Sequence, residues 1–402
     1  MQTQRRDIAM LIALRGLRSF GYGFVNTALG FYLIALGYKT FQVGILITAS
    51  GFFSAFLIII SGVLADRIGS RKIFLILSSF LTALLGIIFA STTNFFLLLA
   101  GALLGGAGSA GGGGPGGGPF GPAQQALLAD KVSDRDRNSI FSFNALAGTV
   151  LFSFGALLAG LPSLLSSYRS MELEIYKLLF ILIATLGLAS IIISAMIKEM
   201  RVKQEHSRGN SKLIGKFTMT SILNGFGMGL IPLSLLTLWF SIAYKVGEFP
   251  ISIMVWASNI AAISYLAASK LASILGTVKM IVITRVLGVA MLASLPAIPF
   301  FPPIASAVYV FRGALVSIGM PIRQSYMMGV VDREHRSTAV GVSSGLGWGV
   351  PYAVSPVISG YVMQEVSDNL PIYASASFLV ANSILYWIFF HDIRPPEEMG
   401  HS

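Results

Sequence analysis

Residues 62–72 read GVLADRIGSRK, a short charged segment between two long apolar runs. The runs on either side, 41–63 and 71–92, each have about the 20 apolar residues that a helix needs to cross a bilayer. The charges of the connection are Asp66, Arg67, Arg71 and Lys72. An apolar run followed by a short basic loop is typical of a protein that crosses the membrane repeatedly.

The composition of the whole chain supports this interpretation. The 402 residues are 54% apolar and 11% charged, with a mean hydropathy of +0.77 and no Cys. A soluble domain carries about 25% charged residues, so this chain has too few to cover a surface that faces water. The absence of Cys excludes disulfides, thiolate metal sites and a Cys nucleophile. The high apolar content excludes a disordered chain.

The apolar runs predict an all-α membrane protein with twelve transmembrane helices. The runs are 8–36, 41–63, 71–92, 95–121, 138–165, 174–198, 216–242, 250–270, 279–298, 302–328, 337–364 and 371–391. The first contains Arg15 and Arg18 and is not followed closely by a small-residue cleavage site, so we expect a spanning helix rather than a cleaved signal peptide.

Two of the runs are unusually rich in glycine or proline. Gly101 to Gly121 contain twelve Gly and two Pro, which predicts either an unwound hinge or tight packing against neighbouring helices. The eleventh run holds Pro351 and Pro356 close to three Gly, which predicts a kink.

Basic residues divide unequally between the two sets of loops. Sixteen Lys and Arg lie in the loops on the side of the termini, and four lie in the opposite set. The positive-inside rule therefore predicts that both termini are cytoplasmic in a cell membrane. This rule explains the net charge of +11 better than a nucleic-acid partner does. We expect a monomer in the lipid bilayer with no nucleic-acid partner.

A polar segment in the middle of the chain separates two halves. It predicts an N-terminal six-helix half (1–198), a cytoplasmic linker (199–215) and a C-terminal six-helix half (216–402). LADRIGSRK at 64–72 aligns with LASILGTVK at 271–279, so each half follows the same plan. Parallel six-helix repeats are typical of secondary transporters whose solute site lies between the repeats.

The charged segment between the second and third runs resembles the signature of the major facilitator superfamily. Its matching residues are Gly62, Asp66, Arg67, Gly69, Arg71 and Lys72. The resemblance implies twelve helices in two pseudo-symmetric halves, transport by alternating access, and a gating role for these residues. The alternative is that the segment only fixes the topology. Because the superfamily is broad, the resemblance implies no particular substrate.

Buried ionisable residues are the most informative positions for function in such a chain. Arg18 and Arg312 lie about 15 Å inside their runs, near the midplane. Arg285 and Arg323 lie nearer the run ends, where their side chains can extend to the surface, and Arg15 is intermediate. No acid or His lies in the middle of a run, so a central proton relay is not supported. Asp7 and Asp66 are the peripheral titrating candidates.

The helical period adds polar neighbours to the deep arginines, on the first and seventh runs. The predicted substrate-binding residues are Arg18, Tyr22, Asn26, Asn224 and Arg312.

These residues predict a secondary or facilitative transporter of a small organic solute. A guanidinium without an embedded carboxylate favours an anionic solute. The alternatives are efflux of amphipathic drugs, which the aromatic residues Trp256, Trp348 and Tyr352 would suit, and a non-transporting membrane sensor. No catalytic residue, metal site or cofactor is predicted, and no GK[ST] sequence follows the glycine-rich run to hold a nucleotide.

Replacing Asp66 tests whether the charged segment gates transport. We expect Asp66→Asn to abolish solute flux, because a gating role would depend on a carboxylate that can accept hydrogen bonds from a helix N-terminus or pair with a basic residue. The measurement is uptake of a solute panel into vesicles that contain the protein. A sensor or scaffold would keep its function in this variant, and unchanged flux would contradict the gating role.

Overall fold

The computed structural model describes most of the chain. The described residues are 2–68, 70–105, 120–132, 137–166, 168–198, 211–261, 263–264, 271, 274–298, 302–330 and 341–393. Within these ranges every regular element is helical. Seven helices are individually long and apolar enough to cross a membrane, and an eighth span results if one bent pair is counted as a single span.

The first half contains the counterparts of the first six predicted spans. They are α1 (Gln2–Ala35), α2 (Thr40–Ile68), α3 (Lys72–Ser91), α4 (Phe95–Gly105), α5 (Phe120–Lys131), α6 (Arg137–Leu158), α7 (Leu161–Leu165) and α8 (Arg169–Met196). The fourth span corresponds to α4 and α5, and most of its glycine-rich part, 106–119, lies outside the described residues. The fifth span corresponds to α6 with the short α7.

The second half contains the remaining six. Its helices are α9 (Ser211–Leu230), α10 (Leu233–Tyr244), α11 (Glu248–Ala261), α12 (Thr277–Ser294), α13 (Pro302–Val330), α14 (Val350–Glu365) and α15 (Leu370–Phe390). A 3₁₀ turn, Leu295–Ala297, follows α12, and a π-helical segment, Gly341–Gly349, precedes α14. The all-α fold of twelve predicted spans therefore has a helical counterpart for each span.

Two spans are less regular than the sequence predicts. The seventh, expected as one helix over 216–242, is bent by 42° between α9 and α10. Pro232 lies at this break and has no N–H to continue the helix, so its carbonyl instead starts α10. In the eleventh span the irregular part is the π-helical segment, where the glycines lie, and Pro351 stands in the first turn of the α-helix that follows.

The end of α1 shows how local sequence fixes the helix boundaries. Gly37 has a φ of +93°, which a residue with a side chain rarely adopts. The Gly37 N–H donates to the Ile34 carbonyl at 2.9 Å and the Tyr38 N–H to the Leu33 carbonyl at 3.0 Å. This Schellman arrangement satisfies the last carbonyls of α1 and reverses the chain into α2.

The buried core shows how the two halves meet. One large apolar cluster draws residues from both halves, among them Tyr32 of α1 and Trp239 of α10. Two smaller clusters are each confined to one half. The members of the shared cluster lie toward the end of the bundle opposite Gln2 and Phe390, here named the distal end. Among the described residues, the halves therefore share a core at the distal end and have separate cores at the other end.

Helices within a half approach until their backbones touch. A Cβ added to Gly155 of α6 would overlap the Phe20 carbonyl oxygen of α1, and one added to Gly23 of α1 would overlap the Phe152 carbonyl oxygen of α6. Both positions are too close to a backbone oxygen for any side chain. The crossing of α1 and α6 therefore requires glycine on both helices.

Gly155→Ala tests this crossing. We expect the free energy of unfolding to fall by about 1–3 kcal/mol, because the methyl group must push the two helices apart. Thermal unfolding of the purified protein in detergent measures the change. The control is Gly215→Ala on α9, where an added Cβ would meet nothing within 4 Å. If both variants unfold at the same temperature, the tight crossing is wrong.

Candidate functional site

Arg18 lies in the interior of the first half. Only 7% of its surface is exposed, and its Nη1 donates to the Ser78 carbonyl oxygen at 3.1 Å and to the Thr82 Oγ1 at 2.9 Å. Its Nη2 donates to the Tyr22 hydroxyl at 3.1 Å. These partners lie on α3 and α1, so the guanidinium is held by its own half.

The surroundings of Arg18 are aromatic and tightly closed. The Tyr22 hydroxyl donates to the Gly105 carbonyl, and the guanidinium carbon lies 4.8 Å from the Tyr22 ring centre and 4.9 Å from that of Phe120. An adjoining gap provides about 10 Å³ for the centre of a water molecule, which is room for about one water. In this conformation the gap is too small for an organic solute. Its walls include Leu17, Gly21, Ser79, Ile183, Gly187 and Ser190.

The two predicted asparagines are half-buried on different helices. Asn26 on α1 donates to the Tyr22 carbonyl of its own helix at 2.9 Å. Asn224 lies on α9 of the second half. The structure therefore brings Arg18, Tyr22 and Asn26 together along one face of α1, as the helical period predicts. Asn224 and Arg312 are on helices of the other half. The assignment of all five to a substrate site stays a prediction.

Arg312 is buried in the second half, in surroundings that differ from those of Arg18. It lies on α13 with 8% of its surface exposed, and its Nε has no hydrogen-bond partner among the described residues. Its stem packs near Gly288 of α12, where an added Cβ would lie 4.0 Å from the Arg312 Cγ. The Nη atoms of Arg18 make three hydrogen bonds, so the described part of the chain holds the Arg312 guanidinium less completely than that of Arg18.

Two further arginines point into the second half, although the sequence does not select them as binding residues. Their position near the run ends predicts that Arg285 and Arg323 extend to the membrane surface. Instead, Arg285 donates to the Asn382 Oδ1 of α15, and Arg323 donates to the Ser221 Oγ of α9 at 2.7 Å. The hydroxyl of Tyr386 on α15 is buried without a partner in the described structure. The one feature of the sequence that could have indicated this buried polar cluster is a polar face on α15, where Asn382 and Tyr386 are one turn apart.

The predicted gating residues lie at the junction of α2 and α3. Gly62, Asp66 and Arg67 are in the last turns of α2, but their side chains, and Gly69 entirely, lie outside the described residues. Arg71 directly precedes α3, and Lys72 begins it. The Lys72 Nζ donates to the Ala195 carbonyl of α8 at 2.5 Å. A cation is favourable at this position, because the carbonyl groups at the C-terminal end of α8 carry a partial negative charge.

Lys131 makes a second cationic contact near the end of α8. Its Nζ lies 2.7 Å from the Asp7 Oδ2 of α1 and 2.6 Å from the Lys198 carbonyl oxygen. Asp7, a predicted titrating candidate, is thus paired and 1% exposed. These contacts join α1, α5 and α8 within the first half.

Contacts between the halves cluster at the distal end. Helices α2 and α14 cross where an added Cβ on Gly44 would lie 2.5 Å from the Pro356 carbonyl oxygen. Beside this crossing the Val357 N–H donates to the Thr48 Oγ1 at 2.9 Å. Helices α1 and α10 meet through the Ser234 hydroxyl, which donates to the Asn26 carbonyl at 2.7 Å. The arrangement is closed at the distal end.

The comparisons with known proteins assign the family. Residues 11–346 match the family model described as Major Facilitator Superfamily, and the chain belongs to this family. It is a multi-pass membrane protein and a secondary transporter of small solutes, not an enzyme. A 200-residue segment is 26% identical to the uncharacterized membrane protein YJR124C of Saccharomyces cerevisiae; it covers 48% of this chain and 43% of that protein. The chain thus matches less than half of the curated relative's length.

Solved structures share the fold over nearly the whole chain. A point mutant of the nucleoside transporter NupG superposes with a TM-score of 0.76 at 16% identity, and the match covers 96% of this chain and 100% of that one. The inward-open xylose transporter XylE of E. coli gives 0.74 at 12% identity, with 98% and 99% covered. The human organic anion transporter MFSD10 gives 0.68 at 14% identity, with 95% and 99% covered. At these identities the likeness shows the fold alone.

Gly44→Ala tests the distal crossing. We expect the methyl group to prevent full closure, because it would collide with the Pro356 carbonyl. The chain has no Cys, so spin labels can be attached to Cys introduced at the exposed Lys39 and Val366, one in each half. Electron paramagnetic resonance should show a longer distance in Gly44→Ala than in the parent. Gly215→Ala is the control, and an unchanged distance in Gly44→Ala contradicts the assignment.

Proposed function

We propose that the transported solute is an organic anion and that Arg312 binds its carboxylate or phosphate group. The observation that carries this proposal is a buried guanidinium whose Nε has no partner in the described structure. Burying a charge without a partner is costly, so a bound anion or water must compensate it. A planar carboxylate fits the two-pronged donor face of Arg.

The charge balance of the second half supports the same choice. Arg285, Arg312 and Arg323 all lie inside it, and the first and last of these bond to neutral side chains that the structure describes. A positively charged interior attracts anions and disfavours cations. The ion pairs between described residues lie elsewhere and neutralise none of these arginines; they are Lys131–Asp7, Lys177–Glu174 and His391–Asp392.

Arg18 has a different place in this proposal. Its guanidinium bonds to α1 and α3 in the distal-closed conformation, so we assign direct contact with the solute to Arg312. In this proposal Arg18, Tyr22 and Asn26 contribute to the solute site from α1, and Asn224 contributes from the second-half helix α9. Contact between the solute and Arg18 requires an existing bond, such as that to Tyr22, to be exchanged for one to the solute.

The charge distribution of the loops sets the orientation we propose. With both termini cytoplasmic, the distal end faces the outside, and the conformation described is closed to the outside. The protein then works as a monomer in the cell membrane by exchange or facilitated diffusion. The N-terminal half and the C-terminal half are the moving units, joined by the linker at 199–215.

Efflux of amphipathic drugs is the second candidate. Trp348 and Tyr352 are half-buried with ring centres 4.6 Å apart. The indole N–H of Trp256 is buried without a partner in the described structure, and the ring centre lies 6.5 Å from that of Phe154. Such rings suit a lipophilic cation, but the positive interior described above opposes it.

Ligand-induced stabilisation distinguishes the two candidates. We expect organic acids or phosphorylated metabolites to raise the melting temperature, since a ligand at 100 times its Kd stabilises the folded state by about 2.7 kcal/mol. Arg312→Gln should abolish this effect, and Arg312→Lys should weaken it because the charge stays while the forked geometry is lost. Arg5→Gln, at an exposed position on α1, is the matched control.

Two results would contradict the anion proposal. One is equal stabilisation of the parent and of Arg312→Gln by anions. The other is stabilisation of the parent only by lipophilic cations, which would favour drug efflux. Flux measurements in vesicles with the stabilising solute then determine the transport mode.

A further inference from the structure

A direct side-chain bond joins the two halves at the distal end. The Tyr176 hydroxyl of α8, in the first half, donates to the Glu248 Oε2 at 2.5 Å. Glu248 is the first residue of α11, in the second half, and it precedes the predicted span 250–270. The solute proposal above makes no use of this carboxyl group.

The Tyr176 side chain that bonds to Glu248 belongs to an aromatic cluster. Tyr176 is fully buried, and its ring centre is 5.4 Å from that of Tyr32. The Tyr32 ring also contacts Phe180 at 5.0 Å and Phe89 at 6.0 Å. Such surroundings accommodate a neutral carboxylic acid far better than a carboxylate.

The charged groups around Glu248 strengthen this preference. Glu172, one turn before Tyr176 on α8, is close enough to Glu248 to act on its carboxyl group and to disfavour its ionised form. Among the described residues no cation acts on Glu248, and the nearby Lys177 is paired with Glu174 at 2.6 Å. Burial raises the pKa of Glu248 to about 8; the Tyr176 bond opposes this shift, and the neighbouring carboxyl group of Glu172 adds to it.

The charged and titratable groups on the other elements packed against α11 are few, and Lys245, which directly follows α10, is exposed. Helix α7 and the adjoining end of α6 contain no titratable side chain. Tyr244 at the end of α10 donates to the Leu295 carbonyl, and Tyr32 of α1 donates to the Phe89 carbonyl. On α13, Tyr309 and Arg312 are the nearest titratable groups and act on each other.

We propose that Glu248 is a proton-binding site that controls closure of the distal end: its neutral form holds the two halves together, and its ionised form releases them. In the neutral form, the carboxyl O–H donates to the Glu172 carboxylate, while the other oxygen accepts from Tyr176. Loss of this one proton leaves two carboxylates facing each other in an apolar junction. The inference concerns the conformation and does not depend on which solute is carried.

The sign of the pH dependence follows from proton linkage. In the closed form Glu248 has a pKa of about 8, and once exposed in the open form it returns toward 4.5. Between these values the closed form holds one more proton than the open form. Raising the pH through this window therefore favours opening by up to about tenfold per pH unit. Below the lower value both forms are protonated, and the closed form is then most favoured.

The distance between spin labels on Cys introduced at Lys39 and Val366 measures this equilibrium without any solute. Over a series from about pH 5 to about pH 9, across the window above, we expect the short distance to give way to a growing long-distance population. Glu248→Gln, which mimics the neutral acid, should keep the short distance across the whole range. Glu172→Gln removes a group that raises the pKa of Glu248, so the distal end should open at lower pH than in the parent.

Two further variants make the experiment decisive. Tyr176→Phe keeps the ring but removes the bond between the halves, so we expect a larger open fraction at the acidic end of the series. Glu174→Gln, at an exposed position on the same helix, is the matched control and should titrate like the parent. A distance that does not change with pH in the parent, or one that still changes in Glu248→Gln, overturns the proposal. Because no solute is present, neither result bears on the anion site.

Discussion

Contact between helix backbones is the constraint on which this structure depends. In a bilayer the lipid is as apolar as the side chains, so helices associate by close packing rather than by the hydrophobic effect. Gly155 allows α6 to touch α1 within the first half, and Gly44 allows α2 to touch α14 across the halves. The same kind of contact therefore holds each half together and joins the two halves. The difference is that, among the described residues, the backbone contact between α2 and α14 lies toward the distal end.

The close packing decides what happens to an arginine in the interior. Where neighbouring helices offer oxygen atoms, as α3 offers Ser78 and Thr82 to Arg18, the guanidinium becomes part of the bundle. Where no described neighbour bonds to the guanidinium, as for Arg312, the charge needs another partner. Two residues that are equivalent by depth thus have different environments. Depth along a helix is visible in a sequence, whereas the oxygen atoms of another helix are not.

The sequence predicts most of the fold and part of the site, for physical reasons. Apolar runs of membrane length give the helices, and the 3.6-residue period correctly puts Arg18 and Tyr22 side by side. The expectation for Arg285 is wrong because the direction of its side chain depends on the rotation of α12 in the bundle. The sequence does not identify Glu248 as a site residue, because a charged residue between two apolar runs is expected to face solvent. Its burial arises only when α8 and α11, from different halves, come together.

The two proposed sites make opposite demands on charge, and this favours exchange over leakage. The closed distal end is most stable with Glu248 neutral, so its junction contributes no negative charge to the second half. The interior arginines then lack a counterion from the described residues, and the proposed anionic solute would supply one. When a solute anion is bound, the positive charge of the interior arginines is therefore better compensated during the conformational change than it is in the empty carrier. Because moving uncompensated charge through an apolar interior is unfavourable, the proposed anion site predicts that the empty carrier reorients slowly, as an exchanger requires.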